Sequence, residues 1–113
     1  MPAFVQAFFV VLCIARRYNT PMITSFKHKG LESFYKTGST KGIQPGHATK
    51  LRLILAVLDV ATGPQSIAIQ AFKSHQLKGT MAGYWSILVN GNWRIVFRFA
   101  AGGVELVDYV DYH

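Results

Sequence analysis

The sequence predicts an α+β fold, with helices early, an antiparallel meander late, and the helices covering one face of the sheet. Three observations predict it. Apolar residues recur at helical spacing in the first half of the chain. After Tyr84 the recurrence changes to strict alternation, and Asn90-Gly91 separates two alternating runs where a tight hairpin is required. At 113 residues, half of them hydrophobic and 13% aromatic, the chain supports one domain with its own core.

Residues 1–21 differ from the rest. Ala3 to Ala15 is nearly all apolar and is followed by Arg16-Arg17. The run is shorter than the roughly 20 residues that span a bilayer, and it lacks the positive leading region of a signal peptide. We read it as a non-native or upstream-initiated extension, with an added amphiphilic helix as the alternative, and place the domain at residues 22–113.

Met22 to Phe26 reads as an edge strand opening that domain. Lys27 to Lys36 carries Leu31, Phe34 and Tyr35 at helical spacing, and Gly38 is placed to end the helix. Ser39 to Gly46 is a Gly/Pro connection. Leu51, Ile54, Leu55, Leu58 and Ala61 then form the clearest helical stripe, with Lys50, Arg52 and Asp59 away from much of it. Thr62-Gly63-Pro64 stops that helix. His28 and His47 read as exposed helix-start residues, and His75 falls in a short loop before the meander.

In the meander, Trp85, Ile87 and Val89 share one face of the first strand. Asn90-Gly91 is a hairpin signal because both residues tolerate positive φ. Trp93, Ile95, Phe97 and Phe99 answer on the apolar face, with Arg94, Val96 and Arg98 opposite. Trp85 and Trp93 are therefore core residues. Ala101-Gly102-Gly103 turns the chain into a last strand, Val104 to Val110. Arg94 and Arg98 together suit bidentate binding of phosphates. By themselves they read slightly better as ordinary solvent-facing charges.

Twelve Lys and Arg against 5 Asp and Glu give a net charge of +7, an excess that attracts polyanions, nucleic acid first among them. Without residues 1–21 the counts are 10 and 5, and +5 remains. The single Cys13 excludes an internal disulfide or a cysteine zinc cluster, and the four histidines are widely spread. The chain reads as cytoplasmic, without metal or cofactor. Its ending is the unusual feature: Val107-Asp108-Tyr109-Val110-Asp111-Tyr112-His113 places an imidazole, whose ordinary pKa is near ~6.5, directly after a strand.

Four motifs stand in order: His75-Gln76-Leu77-Lys78-Gly79, Gly83-Tyr84-Trp85-Ser86, Asn92-Trp93-Arg94-Ile95 and Asp111-Tyr112-His113. With Ser25-Phe26-Lys27-His28-Lys29-Gly30-Leu31 and Leu51-Arg52-Leu53-Ile54-Leu55, they resemble the HigB toxins of the RelE/ParE-like superfamily from Met22 to His113. The resemblance implies a compact antiparallel sheet with two helices on one face. It also implies a ribosome-dependent endoribonuclease that cuts mRNA and arrests growth. Its partners would be a HigA-like helix-turn-helix antitoxin, the ribosome and mRNA, and operator DNA through the antitoxin complex, with no membrane.

Cleaving RNA without metal requires removing the 2′-hydroxyl proton, stabilising charge on the phosphorus, and protonating the leaving 5′-oxygen. The resemblance gives the proton transfers to His75 and His113, without saying which is acid and which base. It gives charge stabilisation to Lys78 and Arg94. Tyr112 would stack on a base or orient the 2′-hydroxyl, and Asp111 would orient a histidine or be a solvated strand-end charge. Arg98, Lys27, Lys29, Lys50 and Arg52 would form a basic RNA-binding surface. Thr80-Met81 departs from an acidic–basic pair carried by many members, which removes one phosphate contact. The alternatives are a weakly active or non-catalytic module working with its antitoxin in operon repression, and a gyrase-directed ParE-like toxin.

Overall fold

The computed structural model describes residues 22–101 and 103–112; the extension before Met22, Gly102 and His113 lie outside the described residues. The elements run β1 (Met22–Ile23), α1 (Lys29–Thr37), α2 (Ala48–Asp59), β2 (His75–Gln76), β3 (Tyr84–Asn90), β4 (Trp93–Ala100) and β5 (Gly103–Asp111). Strands β2 to β5 are antiparallel neighbours, and the sheet order is β1-β5-β4-β3-β2. The α+β architecture is the one the sequence predicts. The edge strand β1 is shorter than expected and pairs in parallel with β5, with Phe26 forming a separate bridge to Val107.

Helix α1 starts at His28, whose Nδ1 accepts the backbone N–H of Leu31 at 2.9 Å, and it stops at Gly38 with φ 81°. A left-handed residue at that position turns the chain without a Cβ penalty. The stripe of α2 is buried as its spacing requires, with Leu51, Ile54 and Leu58 fully enclosed. Against them lie Ile87, Ile95, Phe97, Val104 and Val107 from the sheet. Each such side chain removed from water contributes about 1.5–3 kcal/mol. This single layer of contacts holds the helices to the sheet.

Two polar residues of the helix layer are buried, and for His47 this corrects the expectation of exposure. Asp59 is buried, where its Oδ1 accepts the Tyr35 hydroxyl at 2.7 Å and the Ile23 N–H at 3.4 Å. His47 is also buried, with Nδ1 2.7 Å from the Tyr109 hydroxyl. Both are polar residues paired inside the helix layer, which local periodicity does not reveal. The hairpin also differs in detail. Asn90 pairs with Trp93, so the loop is Gly91-Asn92, and of the two residues of the signal only Gly91 takes positive φ.

Strand β5 changes parity at Leu106, whose φ is 57°. Register with β4 slips at this point, and the Leu106 N–H is taken by Ser25 Oγ at 2.9 Å. A bulge of this kind lets one extra residue pass without a partner. Its effect is to turn Val107 and Tyr109 into the core and Asp108 toward the opposite face.

Candidate functional site

The face of the sheet opposite the helices carries several of the expected site residues. One row across it runs His75 on β2, Ser86 on β3, Val96 on β4 and Asp108 on β5, each opposite the next in register. The neighbouring row contains Leu88, Arg94 and Val110, and a third contains Tyr84, Arg98 and Glu105. His75 is therefore a strand residue and not a loop residue. Pairing with β3 fixes its Cα and leaves the side chain exposed.

His75 and Arg94 share this face two strands and two residues apart, roughly 12 Å between backbones by ordinary strand spacing. Arg94 is half-buried and forms no ion pair among the described residues. Lys78 is exposed and precedes the Gly79–Met81 turn that leads into β3. Tyr112 is exposed, and its N–H bonds to the Asn92 carbonyl at 2.8 Å. That bond holds the chain end beside the start of β4. His113 lies outside the described residues.

The other expected site residues are divided between surfaces. Asp111 pairs with Trp93, so strand alternation puts it on the Trp93–Tyr109 side and off the Arg94 face. Burial raises the Tyr109 pKa, the Gln44 N–H bond opposes this, and nearby Asp111 adds to the rise. Arg98 is paired with Glu105 through Nε at 2.8 Å and through Nη2, which holds its charge firmly in place. Arg98 and Lys27 both lie over the Tyr84 ring, 5.7 and 5.8 Å from its centre. Lys27 therefore reaches the open face.

Lys50 and Arg52 do not. Both belong to α2, where Lys50 Nζ donates to the Ala71 carbonyl at 3.1 Å and Arg52 lies over Phe34, 5.3 Å from its ring centre. Arg52 borders a cleft of about 320 Å³ between α1 and α2 whose polar groups include the paired Tyr35 and Asp59. Lys29 is exposed at the start of α1. Among the described residues, no group of three or more His, Cys, Asp or Glu could hold a metal ion, and no helix is long and apolar enough to cross a membrane.

Sequence reasoning missed Ser86 as a member of this face. Its side chain is 0% exposed, and its Oγ has no hydrogen-bond partner among the described residues. A buried hydroxyl left unpaired costs about 1–3 kcal/mol. The alternation of Tyr84, Ser86 and Leu88 against Trp85, Ile87 and Val89 was the available signal.

The fold and sequence both have known relatives. The structure resembles a YoeB–YefM complex from Staphylococcus aureus, with TM-score 0.55 and 19% identity over 82% of this chain and 97% of that one. A YoeB/ParE toxin from Agrobacterium tumefaciens gives TM-score 0.53 and 22% identity over 83% and 98%. At these identities the likeness concerns the fold. In sequence, the chain is 42% identical over 92 residues to an endoribonuclease HigB of Proteus vulgaris, covering 81% of this chain and all of that protein. It is 32% identical over 94 residues to toxin HigB-1 of Vibrio cholerae serotype O1, covering 81% and 98%. Residues 24–113 match the family model of the RelE-like toxin HigB of type II toxin–antitoxin systems. The chain belongs to the HigB-like family of type II toxins.

Proposed function

We propose that this toxin is an endoribonuclease that cuts mRNA on the ribosome, using side chains of the open sheet face for acid–base chemistry and charge stabilisation. One observation carries the reading: strand register puts His75 and Arg94 on the same sheet face, opposite the helices, while a backbone bond anchors Tyr112 at the Asn92 end of β4. The activity named for the Proteus vulgaris relative agrees with it.

In the proposed reaction the ribose 2′-oxygen attacks the adjacent phosphorus, and the P–O5′ bond breaks. The 2′-hydroxyl proton passes to one imidazole, and the 5′-oxygen receives a proton from the other. His75 and His113 supply these two groups, in either order. Arg94 and Lys78 stabilise the charge that develops on the phosphoryl oxygens. Tyr112 offers a ring for stacking on a base or a hydroxyl for orienting the 2′-oxygen. Lys27, with Arg98 around Tyr84, extends the positive surface along the bound strand. Asp111, on the Trp93–Tyr109 side, acts by fixing the strand end that leads to His113.

As a toxin of a toxin–antitoxin system, the chain is matched to an antitoxin. A HigA-like helix-turn-helix partner that also carries the pair to operator DNA is the form proposed. Brief induction followed by mapping of mRNA 5′ ends on ribosomes tests the reaction. Codon-positioned cuts are expected with the intact chain and their loss with His75→Ala and with deletion of His113. Equal cutting by the intact and shortened chains would remove the tail from the site. Growth arrest without any cutting would point instead to a gyrase-directed or other action.

A further inference from the structure

Ser86 belongs to a motif that marks the family resemblance, yet neither the core nor the proposed reaction accounts for it. It sits in the middle of β3, enclosed, with a hydroxyl that bonds to nothing among the described residues. Buried polar groups in native proteins are almost always paired, so an unpaired one points to a neighbouring group that a side-chain rotation brings within reach. The residue directly opposite on β2 is His75. Opposed side chains on one sheet face start from Cβ atoms about 4.5–5.5 Å apart. A rotation of the exposed imidazole therefore brings its Nδ1, the ring nitrogen nearer the backbone, to Ser86 Oγ.

We propose that Ser86 is a positioning residue for His75, its hydroxyl holding Nδ1 so that Nε2 faces the ribose-phosphate. This rests on the functional reading above only for what Nε2 then does. A hydroxyl suits the task because it both donates and accepts. It donates to a bare Nδ1 and, after rotation, accepts from a protonated one, so the ring keeps one orientation through a proton-transfer cycle. A carboxylate in the same place would favour the protonated ring alone. The charged groups that also face this surface are Arg94 from β4 and Asp108 from β5, with the Arg98–Glu105 pair and Lys27 at Tyr84 one row away, and Lys78 is exposed in the adjoining turn. The burial of Ser86 strengthens the bond, since water is excluded from one side of it.

Two measurements on the full chain test the pairing. Ring ¹⁵N signals of His75, recorded at mildly alkaline pH, are expected to show one fixed tautomer in the natural protein. In Ser86→Ala they are expected to show the averaged signals of a free imidazole. An averaged ring in the natural protein, or identical ring signals in both, overturns the proposal. In the second measurement, cleavage of ribosome-bound mRNA by Ser86→Ala is expected to lose about tenfold or more in kcat with KM unchanged. Its unfolding midpoint should change little, because one hydrogen bond to an exposed ring contributes little net stability. A loss of activity that follows a loss of folded protein overturns the positioning role. If the ring signals respond but the natural protein does not cleave, the functional reading fails and the pairing stands.

Discussion

The two faces of the sheet use polar residues differently. On the helix-covered face they complete the fold: Asp59 takes the Tyr35 hydroxyl and the Ile23 N–H, and His47 meets Tyr109. On the open face, among the described residues, Arg94 forms no ion pair and Ser86 Oγ has no hydrogen-bond partner. Paired groups stabilise the native state, whereas groups held without partners keep their bonding capacity for a ligand, as at Arg94, or for a neighbouring side chain, as at Ser86. Arg98 marks the boundary, since Glu105 engages it even on the open side. The difference separates residues that hold the protein together from residues that the proposed reaction would use.

Four substitutions probe that separation. The largest effect on stability is expected from Phe97→Ala, because the ring is fully buried between sheet and helices. A loss of about 3–5 kcal/mol, read from denaturant unfolding, follows from core truncation of this size. Arg94→Ala should do the reverse. It should cost about 10²–10³-fold in mRNA cleavage, the scale of losing one charge-stabilising donor, with the unfolding midpoint nearly unchanged. If Arg94→Ala unfolded the protein instead, the open face would be structural and the contrast between faces would collapse.

Tyr109→Phe comes next. It deprives His47 and the Gln44 N–H of their hydroxyl partner while keeping the stack on Trp93 at 4.4 Å. A stability loss of about 1–3 kcal/mol is expected for buried groups left unpaired. An equal or larger effect on cleavage than on folding would show that this cluster also steers the chain end. The smallest effect is expected from Arg52→Ala, on the helix side. Its stability should change by roughly 0.5 kcal/mol or less, as for other exposed positions, and mRNA cleavage should stay at the natural rate. A marked loss of ribosome binding would place RNA on both sides of the molecule.

Much of the fold was legible because each element announces its own faces. The stripe Leu51, Ile54, Leu55 and Leu58 and the alternation of Trp93, Ile95, Phe97 and Phe99 both face the core as their periods require. The edge strand β2 was not legible, because two residues carry no period. With it went the recognition that His75 has Ser86 opposite. Lys50 and Arg52 were grouped with Lys27 by charge, but they belong to the helix layer while Lys27 reaches Tyr84 across the sheet. Charge in a sequence does not carry an address on the surface.

The sequence by itself determined the two helices, the meander, the core side of β3 and β4 and, through motifs such as His75-Gln76-Leu77-Lys78-Gly79, the family. These are local properties, set by periods of 3.6 and 2 and by residues that permit or forbid particular turns. Only the tertiary structure decided which residues stand opposite one another. The slip at Leu106 changed which side of β5 meets the core, and the pairing of β2 with β3 set His75 beside an unpartnered hydroxyl. Register is fixed by contacts between segments distant in the chain, so no local pattern records it.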